Sequence, residues 1–225
     1  MVKAIILGAM IVGLGFAFLF RSYPDLDLTV SRVLYLPDHH FIGSPSPAFS
    51  GARMLFNVLF YGVCALAVVG CVMTHSTGRP WLKISSGKWL YLAVCILAGP
   101  LVITNLGFKD HWGRARPHSV VEFGGDKSFS SPLIESQQCE KNCSFVSGEA
   151  SAIYIVCFAA VFLFPSFSGS WVLTGVVLGS AAGFVRMAQG AHFLSDVIFA
   201  GVLMALTAAA VQLVFATLTG NSEPR

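Results

Sequence analysis

Three short stretches, far apart in the chain, hold the residue types needed to cleave a phosphate ester. They are Lys109-Asp-His-Trp-Gly-Arg-Ala-Arg116-Pro117, Ser144-Phe-Val-Ser147-Gly148-Glu149 and Arg186-Met-Ala-Gln-Gly-Ala-His192-Phe-Leu-Ser-Asp196. A phosphomonoester carries about −1.5 to −2 charge and three strong acceptor oxygens, and its transition state needs fixed cations and backbone donors. Lys109, Arg116 and Arg186 supply the cations. Arginine suits forked contacts to phosphate oxygens, and lysine acts as a point charge. Ser147 offers a hydroxyl, and Gly148 a place where backbone can approach an anion at the start of an apolar run. His192 and Asp196 stand four apart, which makes them neighbours on one helix face. A carboxylate on one ring nitrogen fixes the tautomer and frees the other nitrogen to attack phosphorus, giving a phosphohistidine that water then hydrolyses. The competing reading is that the pair caps the helix that follows.

These charges stand out because the chain has few of them. Only 11% of its 225 residues are charged and 55% are hydrophobic, with a mean hydropathy of +0.73. Long apolar runs in so short a chain point to an integral membrane protein rather than a soluble domain. Charges at membrane depth cost kilocalories, so their clustering marks a site. The net charge of +3 is scattered, with none of the basic stretches and interleaved aromatics of a nucleic-acid binder.

The sequence predicts an all-α membrane protein with six transmembrane helices, over about 2–20, 51–73, 89–108, 149–164, 171–187 and 195–218. The first run reads as a retained span rather than a signal peptide, since no small-residue cleavage site follows it. Residues 26–41 alternate apolar and polar and read as lying along the membrane surface. Trp89 reads as an interfacial anchor of the third span. A single domain covers 1–225. Even parity puts both termini on one side. The loop 74–88 holds Arg79, Lys83 and Lys88 without an acid, so that side is expected to be cytoplasmic. The long loop 109–148 then lies outside, and all three stretches fall at the outer ends of spans three to six.

Cys139 and Cys143 flank Glu-Lys-Asn in this loop and are close enough to pair, which suits an oxidising space. Zinc is the competing reading, but a lone C-x3-C makes a poor zinc site. The remaining cysteines, in apolar runs, read as small buried hydrophobes. Arg114 reads either as an extension of the phosphate grip or as the partner of Asp110. Trp112 reads as an interfacial anchor or a sugar-stacking platform. His39 and His40 read as solvated.

The joint pattern K-x6-R-P, Ser-Gly, R-x5-H-x3-D resembles the type 2 phosphatidic acid phosphatase (PAP2) superfamily over essentially the whole chain. The resemblance implies a six-helix PAP2-type bundle with a long periplasmic loop between helices three and four. It also implies dephosphorylation without metal or cofactor, with His192 as nucleophile, Asp196 as its partner, and Lys109, Arg116, Arg186, Ser147 and Gly148 around the phosphate.

Two positions depart from the pattern. Val185 stands where the family has serine. Glu149 stands where the second motif has histidine, the proton donor to the leaving group. Glu149 can fill that role only when protonated; otherwise it is a first-turn acid suiting its own helix dipole, and His111 or His118 takes the role. The acid at 149, the paired cysteines, Gly125-Asp-Lys127 and Gln189-Gly190 together resemble a narrower branch, the bacterial lipid A 4′-phosphatases. That branch implies a lipid A phosphomonoester as substrate, met at the periplasmic face of the inner membrane.

Within the same class the alternatives are the lipid A 1-phosphate, phosphatidylglycerophosphate or undecaprenyl pyrophosphate, or transfer of the phosphate to another acceptor. From another class, a non-catalytic lipid-phosphate binder or anion transporter remains. A transporter places its charges near mid-membrane, and a degenerate binder has no need of both His192 and Asp196.

Overall fold

The computed structural model describes residues 1–218; the end of the expected domain, 219–225, lies outside them. The described residues form helices α1 (Val2–Ser22), α2 (Leu26–Val33), α3 (Pro47–Thr77), α4 (Ser86–Ile96, continued by π-helical turns over Leu97–Lys109), α5 (Gly148–Leu163), α6 (Ser168–Ala188) and α7 (Leu194–Leu218). No strands form among them.

Local chemistry sets the ends. Helix α1 stops ahead of Pro24, whose ring and missing N–H do not continue a helix. Pro47 occupies the first turn of α3, where its absent donor is harmless. Gly78, at φ +65°, closes α3 in the left-handed conformation glycine tolerates. Within the third span, Pro100 has no N–H to give the preceding turn, and from Leu97 onward the chain widens into π-helical turns that run to Lys109.

Among the described residues, five helical stretches are long and apolar enough to cross a membrane: Val2–Ser22, Pro47–Thr77, Ser86–Lys109, Pro165–Ala188 and Leu194–Leu218. The sixth apolar helix, α5, has only 16 residues, about 24 Å at 1.5 Å per residue. It is apolar all round and buried along nearly its whole length, as a helix with no wet face must be. It packs against α3, α4, α6 and α7, while α1 lies on α7. Leucine, isoleucine and phenylalanine side chains on α1 and α3 instead face outward, as a lipid-facing surface requires.

Gly175, Gly179 and Gly183 recur every fourth residue on α6 and let it approach its neighbours. A Cβ on Gly179 would lie 2.4 Å from the Tyr154 ring of α5, and one on Gly183 would lie 2.2 Å from Val197 of α7. Small residues at this spacing are a general means of close helix packing in membranes. Buried polar groups pair across the same seams: Tyr154 with Ser180, Thr104 with Ser151, and Tyr91 with the Ala208 carbonyl.

One expectation is corrected. Trp89 is buried at 2% exposure, its ring against Gly70 of α3, so it is a core residue rather than an interfacial anchor. Within residues 26–41, Leu26–Val33 is a helix that buries Asp27, Leu28 and Ser31 against the bundle.

Candidate active site

The site forms where the end of α4, the loop 110–147, the start of α5, the end of α6 and the start of α7 meet. The last π-helical turn delivers Lys109, only 7% exposed, whose ammonium donates to Asn142 Oδ1 at 3.2 Å. Arg116 reaches the same residue, donating from Nη2 to the Asn142 carbonyl at 2.8 Å and to Oδ1 at 3.0 Å. Asn142 thus draws two cations together, and it sits inside the short ring closed by the Cys139–Cys143 disulfide. Gly148 leaves room for Lys109: a Cβ there would lie 3.2 Å from the ammonium nitrogen.

Arg186, on the last turn of α6, donates to Gln189 Oε1 at 2.5 Å and pairs through Nε with Glu149 Oε1 at 3.1 Å. Arg53 of α3 meets the same carboxylate oxygen at 3.1 Å. The other oxygen of Glu149 lies 3.9 Å from His192 Nε2.

His192 lies in the five-residue connection between α6 and α7 and is 1% exposed. Its Nδ1 stands 3.5 Å from Asp196 Oδ2, at the outer limit of a hydrogen bond, and neither ring nitrogen has a closer hydrogen-bond partner among the described residues. Burial pushes the imidazole down to about 4, against the opposing pull of Asp196, so at neutral pH the ring is uncharged. The hydroxyl of Ser147 is likewise buried without a partner, and the Ser147 N–H donates to the Asp196 carbonyl at 3.1 Å. His192 therefore sits between two carboxylates, Nδ1 toward Asp196 and Nε2 toward Glu149; Lys109 and Arg116 act on the ring, and Arg53 and Arg186 are held on the far oxygen of Glu149. Such an arrangement can hold a phosphate dianion and attack it.

The residues singled out from the sequence divide into two groups. Lys109, Arg116, Ser147, Gly148, Glu149, Arg186, His192 and Asp196 converge. His111 does not: its Nδ1 pairs with the Gly107 carbonyl at 3.0 Å, one turn back. His118 pairs with Ser119 Oγ at 3.3 Å and lines a separate cavity of about 190 Å³ with Tyr35, Phe41 and Gln189. Trp112 is neither an open sugar platform nor a lipid anchor. Its indole donates to the Pro132 carbonyl at 2.9 Å and its ring stacks on Phe145, which fixes the loop.

Arg114 touches neither a phosphate position nor Asp110. It is fully buried and paired with Asp27 and Asp196, while Asp110 accepts from the Asn142 N–H. Sequence reasoning missed Arg53, Asp27 and Asn142. Only Asn142 had a local signal, its place between the two cysteines.

A sequence model of the PAP2 superfamily matches residues 88–219, more than half of the chain. The chain belongs to the PAP2 superfamily. Curated relatives agree. A lipid A 4′-phosphatase of Francisella tularensis subsp. novicida is 37% identical over 209 residues, covering 89% of this chain and 90% of its own. One from Rhizobium etli is 30% identical, with 79% and 74% covered. The crystal structure of a PAP2-type phosphatidylglycerolphosphate phosphatase from Bacillus subtilis superposes over 100% of this chain and 98% of its own. Its TM-score is 0.57 at 18% identity, which shows a shared PAP2 fold. The chain is accordingly a multi-pass membrane phosphatase of the phosphoric monoester class.

Proposed function

We propose that this lipid phosphatase removes a phosphomonoester from lipid A, the 4′-phosphate, at the periplasmic face of the bacterial inner membrane. The observation that carries the reading is the buried His192, without a hydrogen bond at Nε2 and 3.9 Å there from Glu149, whose other oxygen holds Arg53 and Arg186, with Lys109 and Arg116 acting on the ring. The substrate and its position rest on the likeness to relatives named lipid A 4′-phosphatases. The sidedness rests on Arg79, Lys83 and Lys88 at the opposite end of the bundle and on the disulfide in the loop over the site.

In this reading Lys109, Arg116 and Arg186 bind the three non-bridging oxygens, with Ser147 Oγ and the N-terminus of α5 adding donors. His192 Nε2 bonds to phosphorus as the P–O ester bond breaks, and the departing sugar oxygen takes a proton from Glu149. The phosphate competes for Arg186 and Arg53; the Glu149 carboxylate so freed beside a dianion takes up a proton from water as the substrate binds, and that proton is the one it gives. Asp196 steadies the ring through Nδ1. Water then attacks phosphorus, with Glu149 taking back a proton; the N–P bond breaks, and inorganic phosphate and neutral His192 are regenerated.

The test incubates detergent-solubilised protein with lipid A in the presence of a chelator and separates products by mass and phosphate position, with His192→Ala alongside. Loss of the 4′-phosphate with wild type only is the expected result. Release from phosphatidylglycerophosphate or undecaprenyl pyrophosphate but not lipid A overturns the substrate assignment while leaving the site. Activity in His192→Ala overturns the nucleophile.

A further inference from the structure

Arg114 is the most heavily bonded charged side chain in the described structure, and it never meets solvent. Its Nη1 donates to Asp196 Oδ1 at 2.6 Å and to Ser195 Oγ at 2.8 Å. Its Nη2 donates to Asp27 Oδ2 at 2.8 Å and its Nε to the Ser130 carbonyl at 2.9 Å. The guanidinium also lies over the Phe193 ring, 4.3 Å from its centroid. Asp27 is as deeply buried, at 0% exposure, and accepts from the Ser195 N–H at 2.9 Å and Ser195 Oγ at 2.5 Å. Asp196 is saturated in its turn, with Ser144 Oγ at 2.5 Å and the Phe193 N–H at 2.8 Å on Oδ2.

The cluster is thus two carboxyl groups sharing one guanidinium: burial pushes the Asp27 carboxyl above its ordinary range, with Asp196 adding to the push, and the Arg114 guanidinium and the Ser195 hydrogen bonds oppose it. One of them, Asp196, touches the His192 ring; the other, Asp27, comes from a helix that precedes the matched family segment, 88–219. A buried charge survives only when paired and hydrogen-bonded, so the bonds of Asp27 explain how it is tolerated, though not why a carboxylate stands there. Its placement does. An arginine bonded to Asp196 alone would draw that carboxylate's charge toward itself and away from Nδ1 of His192. A second carboxylate on the far side of the same guanidinium divides the arginine's charge and fixes its plane.

We infer that Asp27 is a positioning residue of the His192–Asp196 pair, acting through Arg114 and Ser195 to hold Asp196 in place and keep it a strong partner for the imidazole. The inference rests on the proposed role of His192 as nucleophile.

Asp27→Asn keeps the size and an acceptor for the Ser195 N–H but removes the charge. The assay uses the full-length protein in detergent and the phosphomonoester that wild type turns over, and reads kcat, KM, Tm and the pH dependence of kcat/KM. The expected result is a fall in kcat of about 100-fold at little-changed KM, the scale for a misplaced catalytic group. Asp196 then belongs to Arg114 alone and supports the imidazolium less, so the acid limb moves to lower pH. The other groups facing His192 are Glu149 from α5, Lys109 from the end of α4, and Arg116 from the loop; all are retained in the variant.

Ser195→Ala removes the hydroxyl bridge without stranding a charge, and a fall in kcat of about 10-fold is expected. It decides the matter alone if Asp27→Asn does not fold. A folded Asp27→Asn with wild-type kcat and pH limb overturns the inference, as does a change confined to KM or to Tm. His192→Ala alongside separates the two failures: if it stays active, the nucleophile assignment falls and this inference with it. If it is dead while Asp27→Asn is unimpaired, only the positioning role falls.

Discussion

Glu149 faces His192 across 3.9 Å, Oε2 to Nε2, while its other oxygen is held by Arg53 and Arg186 at 3.1 Å each. A carboxylate therefore stands beside the proposed nucleophile and on cations proposed to bind the substrate phosphate. Removing the proton it can give, with Glu149→Gln, is expected to lower kcat by about 100-fold or more, the usual scale for a general acid. Its KM should fall or stay level, because a neutral amide competes less for the arginines. A substrate with an acidic leaving group should be largely spared. Equal losses on acidic and basic leaving groups would mean that Glu149 is not the proton donor.

Arg53 lies in no motif, and its side chain is 45% exposed. An exposed cation contributes modestly, so Arg53→Ala is expected to raise KM by about 3- to 10-fold and leave kcat within a factor of about three. Steady-state kinetics on mixed micelles would show the split. A collapse of kcat with KM unchanged would assign Arg53 to the transition state instead.

Burial lowers the imidazole of His192 to about 4. The reactive form is the neutral one, so activity is retained as pH falls from 7 and is lost as His192 takes up a proton near 4. An unshifted histidine would lose it near 6.5. A limb near 6 from the second ionisation of the substrate is told apart by changing the leaving alcohol, which moves that limb and leaves the one near 4. A substrate-independent limb at 6.5 would count against a buried neutral nucleophile.

Asn142 gathers Lys109 and Arg116 from inside the Cys139–Cys143 ring. Asn142→Ala, and reduction of the disulfide, should therefore affect the same step. Each is expected to raise KM for the phosphate substrate by roughly 10-fold, and reduction of the Asn142→Ala protein should add little, since coupled perturbations are not additive. Full additivity would mean that the ring and the asparagine act separately.

Filling the glycine seam should act on stability alone. Gly183→Val places carbon where Val197 already stands, 2.2 Å from a Cβ, and overpacking of this kind costs about 1–3 kcal/mol. Thermal unfolding in detergent should shift down while Gly169→Ala, at an open position, does not. Equal shifts would discount the seam.

The spans were legible because hydrocarbon demands long apolar runs, and the cations that converge at the candidate site because charge is scarce in such a chain. Spacing on one helix face also marked His192 with Asp196 as neighbours, although the helix itself begins only at Leu194. What stayed hidden depends on contacts across the chain. Arg114 sits close to Asp110 in sequence, yet folding delivers it to Asp27 and Asp196, because the loop turns its guanidinium inward over Phe193. Asp27 looked like one polar residue in an alternating stretch; only the docking of α2 on α7 makes it a buried partner of Ser195. Trp89 misled for the same reason: an aromatic at the end of an apolar run suits a membrane interface, and nothing local announces that Gly70 has left it a place inside.

The ion pairs of Glu149 with Arg53 and Arg186 also bear on how the site empties. A carboxylate fixed to the fold is a tethered competitor, and tethering gives it an effective concentration on the order of millimolar or above. Free inorganic phosphate must displace it from bulk solution, whereas a lipid confined to the bilayer plane arrives already concentrated. The enzyme should therefore be a poor sensor of its own soluble product. Phosphate inhibition constants for wild type and Glu149→Gln would measure this: removing the tethered anion should make the enzyme more sensitive to phosphate, and an unchanged constant would mean the arginines are released by something else.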